Sequence, residues 1–203
     1  VYPLRPTTVN RGYVKGILNK DSILVNFTAA CGPVVYRGDQ FPVNYNQNAF
    51  VCEPEANLIK RDILTFESLK TTAVQAWNEK EFLASSDEGF RPVKLLNGPD
   101  GALYVVDMHR GVIQHRVSET PYYRNQMADK KLDTLLGAGR ILRIVNKEKK
   151  LSIVPDFTND SGPDLVNLLK SPNGWIRDRA QQLLIFTKQK SVIPELEKLA
   201  QNG

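Results

Sequence analysis

The sequence predicts a mainly β protein that ends in a short α-helical segment. Short apolar runs, separated by turns rich in Gly, Pro and Asn, fill residues 1–150 and are typical of antiparallel strands. From Asn159 onward the apolar residues recur instead at the spacing of an α-helix. The 203 residues are 41% hydrophobic and 24% charged, a globular composition that excludes a disordered or collagen-like chain.

The first strands are predicted from runs of Val, Ile, Phe and Thr. We expect strands at 23–30, 33–36, 49–52, 58–64 and 71–77. The runs 49–52 and 58–64 flank a five-residue loop, which predicts that they pair as a hairpin. The alternating run 71–77 predicts an outer strand.

The same pattern continues to residue 117 and then breaks. We expect strands at 90–96, 102–108 and 112–117, with turns at 97–101 and 109–111. A polar stretch over 119–139 predicts a connection with a turn or two of helix within 122–136. The run 140–146 predicts a last strand.

The C-terminal part predicts three short amphipathic helices. Pro163 is expected to open the first, and Ser171 with Pro172 is expected to cap and start the second. A third helix is predicted after Ser191, with Leu196 facing inward. Because none of these helices can bury its apolar face alone, they indicate the start of a helical repeat.

Charge and hydropathy narrow the function classes. No apolar run approaches the roughly 18 residues of a membrane-spanning helix, so we expect a soluble chain. The net charge is +5, and residues 101–150 carry the excess, with ten basic and five acidic residues. The basic residues lack the interleaved aromatics of a single-strand binder, so no nucleic-acid partner is predicted. Two interpretations of these basic residues remain open: a solvated surface, or a patch that binds an anion or an acidic partner.

The two cysteines, Cys31 and Cys52, predict a structural role. Neither belongs to a Cys-x-x-Cys pair, and only His109 and His115 could join them, so no metal site is predicted. One disulfide between neighbouring strands and two buried free thiols are both compatible with the spacing.

One motif stands out at residues 98–107, which read GPDGALYVVD. The Pro-Asp-Gly sequence predicts a tight turn, and the apolar run after it predicts an inner strand of a β-propeller blade. The segment resembles the last blades of the glucose/sorbosone dehydrogenase family of sugar dehydrogenases that depend on pyrroloquinoline quinone (PQQ). The similarity extends over about residues 29–117 and includes 35–42 (VYRGDQFP), 48–51 (NAFV), 58–61 (LIKR) and 90–93 (FRPV).

The chain is more similar to a bacterial subgroup of membrane-bound dehydrogenases, in which HEAT-type helices and often a cytochrome c domain follow the propeller. The segments that carry this resemblance are 10–13 (NRGY), 28–33 (TAACGP), 50–54 (FVCEP), 123–126 (YRNQ), 139–141 (GRI) and 171–178 (SPNGWIRD). It implies a partial β-propeller of the six-bladed type over 1–150 and a HEAT-like helical repeat over 159–203. A blade takes about 40–50 residues, so we expect about three blades, completed by the remainder of a longer propeller.

The resemblance also implies a function for the complete protein. It would be a periplasmic or otherwise extracytoplasmic dehydrogenase, associated with the membrane, that oxidises a sugar-like alcohol or aldehyde. Electrons would pass from PQQ to a cytochrome c domain or protein. The catalytic histidine base and the calcium loop of the family lie in earlier blades, so the isolated fragment is expected to be inactive. The alternative is a non-catalytic propeller that serves as a binding platform for a glycan or a protein.

Two residues bear on the cofactor. Arg91 falls where the family keeps an arginine that faces PQQ, and a guanidinium can hold a carboxylate bidentately. The competing interpretation pairs Arg91 with Asp87 or Glu88. Glu55 occupies the loop position of a cofactor-facing lysine, and a carboxylate there would repel an anionic quinone. Glu55 therefore favours the binding platform.

Three further residues are candidate contacts for a ligand or a partner. His109 lies two positions after Asp107, at the end of a predicted strand. His109 can act as a base that Asp107 orients, or it can be a solvated surface residue. Arg37 lies in a predicted turn, in which a local ion pair with Asp39 is expected.

Overall fold

The structure is a computed structural model that describes residues 19–21, 24–78, 80–113 and 119–201. The described part is mainly β, as predicted, with a few helices. Its strands are β1 (Cys31–Val35), β2 (Ala49–Glu53), β3 (Leu58–Glu67), β4 (Lys70–Gln75), β5 (Leu83–Ala84), β6 (Pro92–Asn97), β7 (Leu103–Asp107) and β8 (Arg140–Ile144). Its α-helices are α1 (Pro121–Lys130), α2 (Gly162–Leu168), α3 (Gly174–Phe186) and α4 (Ile193–Gln201). No helix among these residues is long and apolar enough to cross a membrane.

The first sheet is antiparallel and has the order β1-β2-β3-β4, with β5 also paired to β3. The predicted hairpin of β2 and β3 is confirmed, and Val51 lies opposite Lys60 in its register. The turn closes through Asn57 at φ +54°, a left-handed conformation that Asn adopts more readily than most residues. The run predicted as an outer strand forms β4, at the edge of the sheet.

The strand predicted at 23–30 is wrong for its described residues, 24–30. Leu24 forms a single bridge, and the rest of the run has no strand structure. The apolar pattern has another cause, because Leu24 is buried in a small core with Ala56 and Leu58. The Ala29 amide donates to the Glu53 side chain, at 3.3 Å from Oε2, and not to the backbone carbonyl of a neighbouring strand. Of the strand predicted at 112–117, residues 114–117 lie outside the described residues.

The second sheet has the order β6-β7-β8, and the GPDG sequence forms the turn between β6 and β7. The Gly101 amide donates to the Gly98 carbonyl at 3.1 Å, and the Gly98 amide donates to the Ala102 carbonyl at 2.8 Å. Gly101 has φ +82°, which is strained for any residue with a side chain. The turn and its two flanking strands are thus confirmed.

The connection between β7 and β8 contains more helix than predicted. Thr120 caps α1 by accepting a hydrogen bond from the Tyr123 amide at 3.2 Å, and Pro121 occupies the first turn. The helix ends at Lys130, and the C-cap residue Lys131 has φ +53°. The last predicted strand follows as β8.

The chain divides into two compact units that alternate along the sequence. Unit 1 takes its described residues from the chain up to Val35, from Gln47–Leu96 and from Tyr104–Arg143. Unit 2 takes them from Tyr36–Asn46, Asn97–Leu103 and the chain from Ile144 onward. The sequence prediction placed one boundary between residues 150 and 159, whereas unit 2 also recruits two earlier segments.

Unit 2 contains the three predicted C-terminal helices. Its core consists of Leu165, Val166, Ala180, Leu184 and Val192, against which Leu196 of α4 also packs. A capping box of Ser161 and Asp164 begins α2.

The predicted start of the second C-terminal helix at Ser171 and Pro172 is wrong, because Asn173 caps α3. Its side chain accepts a hydrogen bond from the Trp175 amide at 3.0 Å and donates to the carbonyls of Gly98 and Pro99. Asn173 is fully buried, so these bonds satisfy polar groups that have no access to water.

Candidate functional site

Four charged or ionisable side chains meet in unit 1 at the end of β7. We call them the His109 cluster: Asp87, Asp107, His109 and Arg140. Asp107 is the last residue of β7, His109 follows it, Arg140 opens β8, and Asp87 lies in the loop before β6. The sequence predicted that Asp107 orients His109 and considered Asp87 apart from them, and the fold brings all three together.

Asp107 is the buried anchor of the cluster. Its side chain is 0% exposed. Oδ1 accepts hydrogen bonds from the backbone amides of Arg91 at 2.7 Å and His109 at 2.8 Å. Oδ2 accepts a hydrogen bond from Arg140 Nε at 2.8 Å. A buried carboxylate with three donors is held in one orientation, so Asp107 fixes the positions of its neighbours.

His109 lies between two carboxylates. Its Nδ1 is 3.6 Å from Asp107 Oδ2 and 3.7 Å from Asp87 Oδ2, and it has no hydrogen-bond partner. The backbone of His109 has φ +41°, an uncommon conformation that is often found at functional positions. A proton on Nδ1 would point to these carboxylates and leave Nε2 as an acceptor. Distances such as those from Nδ1 to the two carboxylates commonly shorten to hydrogen-bond length when a ligand binds.

Asp87 and Arg140 form the exposed side of the cluster. Asp87 Oδ2 lies 3.5 Å from Arg140 Nη2, and the side chains are 46% and 42% exposed. Asp87 Oδ1 is held by the Gly89 amide at 2.8 Å. The cluster thus presents a carboxylate acceptor, a guanidinium donor and an imidazole next to each other. This combination suits a ligand with several hydroxyl groups.

Arg91 is a structural clamp in unit 1. Its guanidinium donates to the carbonyls of Pro54 at 2.6 Å, Glu55 at 3.4 Å, Arg110 at 3.2 Å and Gly111 at 3.0 Å. Burial lowers its pKa. These partners are backbone carbonyls and not the carboxylates of Asp87 and Glu88, with which the sequence paired Arg91. Arg91 joins the β2–β3 turn to the loop after β7.

Glu55 and Glu88 lie near this clamp. Glu55 is half-buried, and burial raises the pKa of its carboxyl while the charge of Arg91 acts in the opposite direction. Glu88, one of the two carboxylates expected to pair with Arg91, instead pairs with Lys130 of α1 at 2.5 Å. The surroundings of Arg91 therefore already contain a negative side chain and four carbonyl dipoles.

Arg37 belongs to unit 2 and has a structural partner. It forms a bidentate pair with Asp178 of α3, at 2.8 Å and 3.0 Å. The predicted local ion pair with Asp39 is therefore wrong. Asp39 instead accepts a hydrogen bond from Ser152 at 2.6 Å. The Arg37 carbonyl also accepts the Gly174 amide at 2.7 Å, so this residue fixes the start of α3.

Arg140 was not predicted from the sequence as a site residue. Its local signals are a lone basic residue after the glycine-rich turn 137–139 and its place in the segment 139–141 (GRI), and both are equally compatible with a solvated strand end. No group of three or more His, Cys, Asp or Glu side chains in the described part of the chain is arranged to hold a metal ion.

Comparison with known proteins identifies a family without assigning an activity. Residues 1–148 match the family described as "Domain of unknown function (DUF7133)". No curated protein and no solved structure matches the chain. Because the matched segment covers well over half of the 203 residues, the chain belongs to the DUF7133 family.

Proposed function

We propose that this chain is part of an extracytoplasmic dehydrogenase that oxidises a sugar-like alcohol or aldehyde and passes the electrons to a cytochrome. In this proposal the two sheets are blades of a β-propeller, and the C-terminal helices begin a HEAT-like repeat. The resemblance of the GPDGALYVVD segment supports it. The observation that carries it is the His109 cluster. It includes Asp107, the last residue of that segment, and presents groups suited to a polyhydroxylated substrate.

Arg91 and Glu55 are poorly suited to bind an anionic quinone. Four backbone carbonyls already engage the Arg91 guanidinium, and the Glu55 carboxyl lies beside it. A quinone carboxylate would have to displace these carbonyls and approach a like charge. The proposal therefore assigns the quinone to other parts of the protein and gives Arg91 a positioning role.

The role of the His109 cluster is to bind and orient the substrate. Asp87 accepts from a hydroxyl, and Arg140 donates to a ring or hydroxyl oxygen. His109 makes a further contact through the ring nitrogen that faces away from Asp107. Asp107 does not touch the substrate but holds His109 and Arg140 in position through hydrogen bonds to the His109 amide and Arg140 Nε.

A dye-linked assay on the complete protein tests this function. We expect reduction of the dye with at least one sugar or polyol when PQQ and calcium are supplied. Asp87→Asn and Arg140→Lys should each raise KM about 10-fold or more with a smaller effect on kcat, because each loses a hydrogen bond to bound substrate. Arg124→Ala, at an exposed site of α1, is the control. Unchanged KM values in both variants would remove the cluster from the substrate site.

The binding platform is the second candidate, and the Arg91 and Glu55 geometry favours it. Calorimetric titration of the complete protein with a sugar panel and separately with PQQ distinguishes the two functions. Saturable sugar binding that depends on Asp87, without PQQ binding or dye reduction, supports the platform. Saturable PQQ binding together with turnover supports the dehydrogenase.

A further inference from the structure

The two cysteines face each other across the first sheet. Cys31 of β1 lies directly opposite Cys52 of β2 in the antiparallel register, and both are free thiols. Residues opposite each other in such a pair have Cα atoms about 4.5 or 5.5 Å apart. Both separations lie within the range of roughly 4.4–6.8 Å that a disulfide requires.

The two thiols differ in access. Cys52 is fully buried, whereas Cys31 is half-buried on β1, which lies at one edge of the sheet among the described strands. The backbone leaves the regular register directly after Cys31, between Cys31 and Val34. A reagent in solution therefore reaches Cys31 first.

A buried carboxyl lies beside the pair. Glu53 follows Cys52, is 1% exposed, and its Oε1 has no hydrogen-bond partner. Burial is the largest cause that raises the pKa of Cys31 and raises that of Cys52 to about 12. The charge of Glu53 acts in the same direction on both thiols, and Cys31 contributes more than Glu53 to the shift at Cys52. Lys94 acts in the opposite direction on Cys52. The surroundings therefore disfavour the thiolate and slow disulfide exchange.

We propose that Cys31 and Cys52 are a redox couple that forms a reversible disulfide across β1 and β2, with Glu53 slowing its formation. The oxidant is a small-molecule or protein disulfide. The Cys31 thiolate attacks the donor and releases one thiolate, which leaves a mixed disulfide on Cys31. Cys52 then loses its proton and attacks Cys31 Sγ, which releases the second thiolate. In total, two protons and two electrons move from the cysteine pair to the donor, which becomes two thiols.

Oxidised glutathione tests the proposal on the folded chain. We expect alkylation after oxidation to label neither cysteine, and mass spectrometry to detect a linked Cys31–Cys52 peptide that dithiothreitol removes. Cys52→Ser should accumulate a mixed disulfide with glutathione on Cys31, whereas Cys31→Ser should keep an unreacted Cys52. A folded chain that retains two alkylatable thiols, or that forms only intermolecular disulfides, would overturn the proposal.

A second pair of variants tests Glu53. Glu53→Gln removes the charge beside both thiols, so disulfide formation should accelerate about threefold or more at alkaline pH. Glu67→Gln, at an exposed position of β3, is the matched control and should leave the rate unchanged. Equal rates for Glu53→Gln and wild type would refute the role of Glu53 while leaving the cysteine couple to be judged by the first experiment.

Discussion

Truncation of Arg91 should destabilise unit 1 strongly, even though it removes no apolar core residue. Two of its bonds, to the carbonyls of Pro54 at 2.6 Å and Gly111 at 3.0 Å, are buried. A hydrogen bond from a charged donor contributes about 1.5–3 kcal/mol, so these two represent roughly 3–6 kcal/mol. The other two bonds are partly exposed and add less, and release of the buried guanidinium to water offsets part of the loss. We expect Arg91→Ala to cost about 3–5 kcal/mol.

Urea unfolding followed by tryptophan fluorescence measures this cost. The chain has two tryptophans, so a Trp175→Phe background leaves Trp77 of unit 1 as the single probe. Arg91→Lys should recover little stability, because one ammonium cannot reach both loops. Arg124→Ala controls for the loss of an arginine. If Arg91→Ala changes the free energy of unfolding by less than about 1 kcal/mol, Arg91 does not hold the two loops together, since the buried carbonyls would then be satisfied without the guanidinium.

Three further predictions concern single groups. Burial raises the pKa of Glu53 from 4.5 to about 7, so wild type should lose up to about 3 kcal/mol of stability between about pH 4.5 and pH 7. Urea unfolding across this range should show no such loss in Glu53→Gln. Asp107→Asn should cost about 2–4 kcal/mol because its amide opposes the donors around it, and a double-mutant cycle with Arg140→Gln should recover part of the cost. Gly101→Ala should lower Tm at a cost of about 1–3 kcal/mol, because φ is +82° and the new Cβ would lie 2.0 Å from Asp39 Oδ1.

Each of these predictions has an outcome that contradicts it. If Glu53→Gln and wild type show parallel pH dependence, the carboxyl titrates as it does in the unfolded chain. Additive losses in the Asp107 and Arg140 cycle would mean that the hydrogen bond at 2.8 Å contributes no coupling energy. An unchanged Tm in Gly101→Ala would show that the turn relaxes without cost.

Local patterns were sufficient for most elements. The GPDG turn, the hairpin of β2 and β3 and the three C-terminal helices were predictable because turn residues and apolar spacing act over a few positions. The strand prediction for 23–30 was wrong for the described residues because the apolar pattern also suits a segment that buries single side chains without strand pairing. The predicted start of α3 was wrong because Ser171 and Asn173 are both good N-cap residues. Only the carbonyls of Gly98 and Pro99, which accept hydrogen bonds from Asn173, decide between them.

The sequence by itself determined the mainly β class, the helical C-terminal part and the identity of three members of the His109 cluster. Only the tertiary structure decided that Asp107 and Arg140, which are 33 positions apart, share a hydrogen bond. It also decided that Arg91 binds backbone carbonyls. The physical reason is that a buried charge must find partners wherever the fold places donors and acceptors, and no local spacing encodes that match.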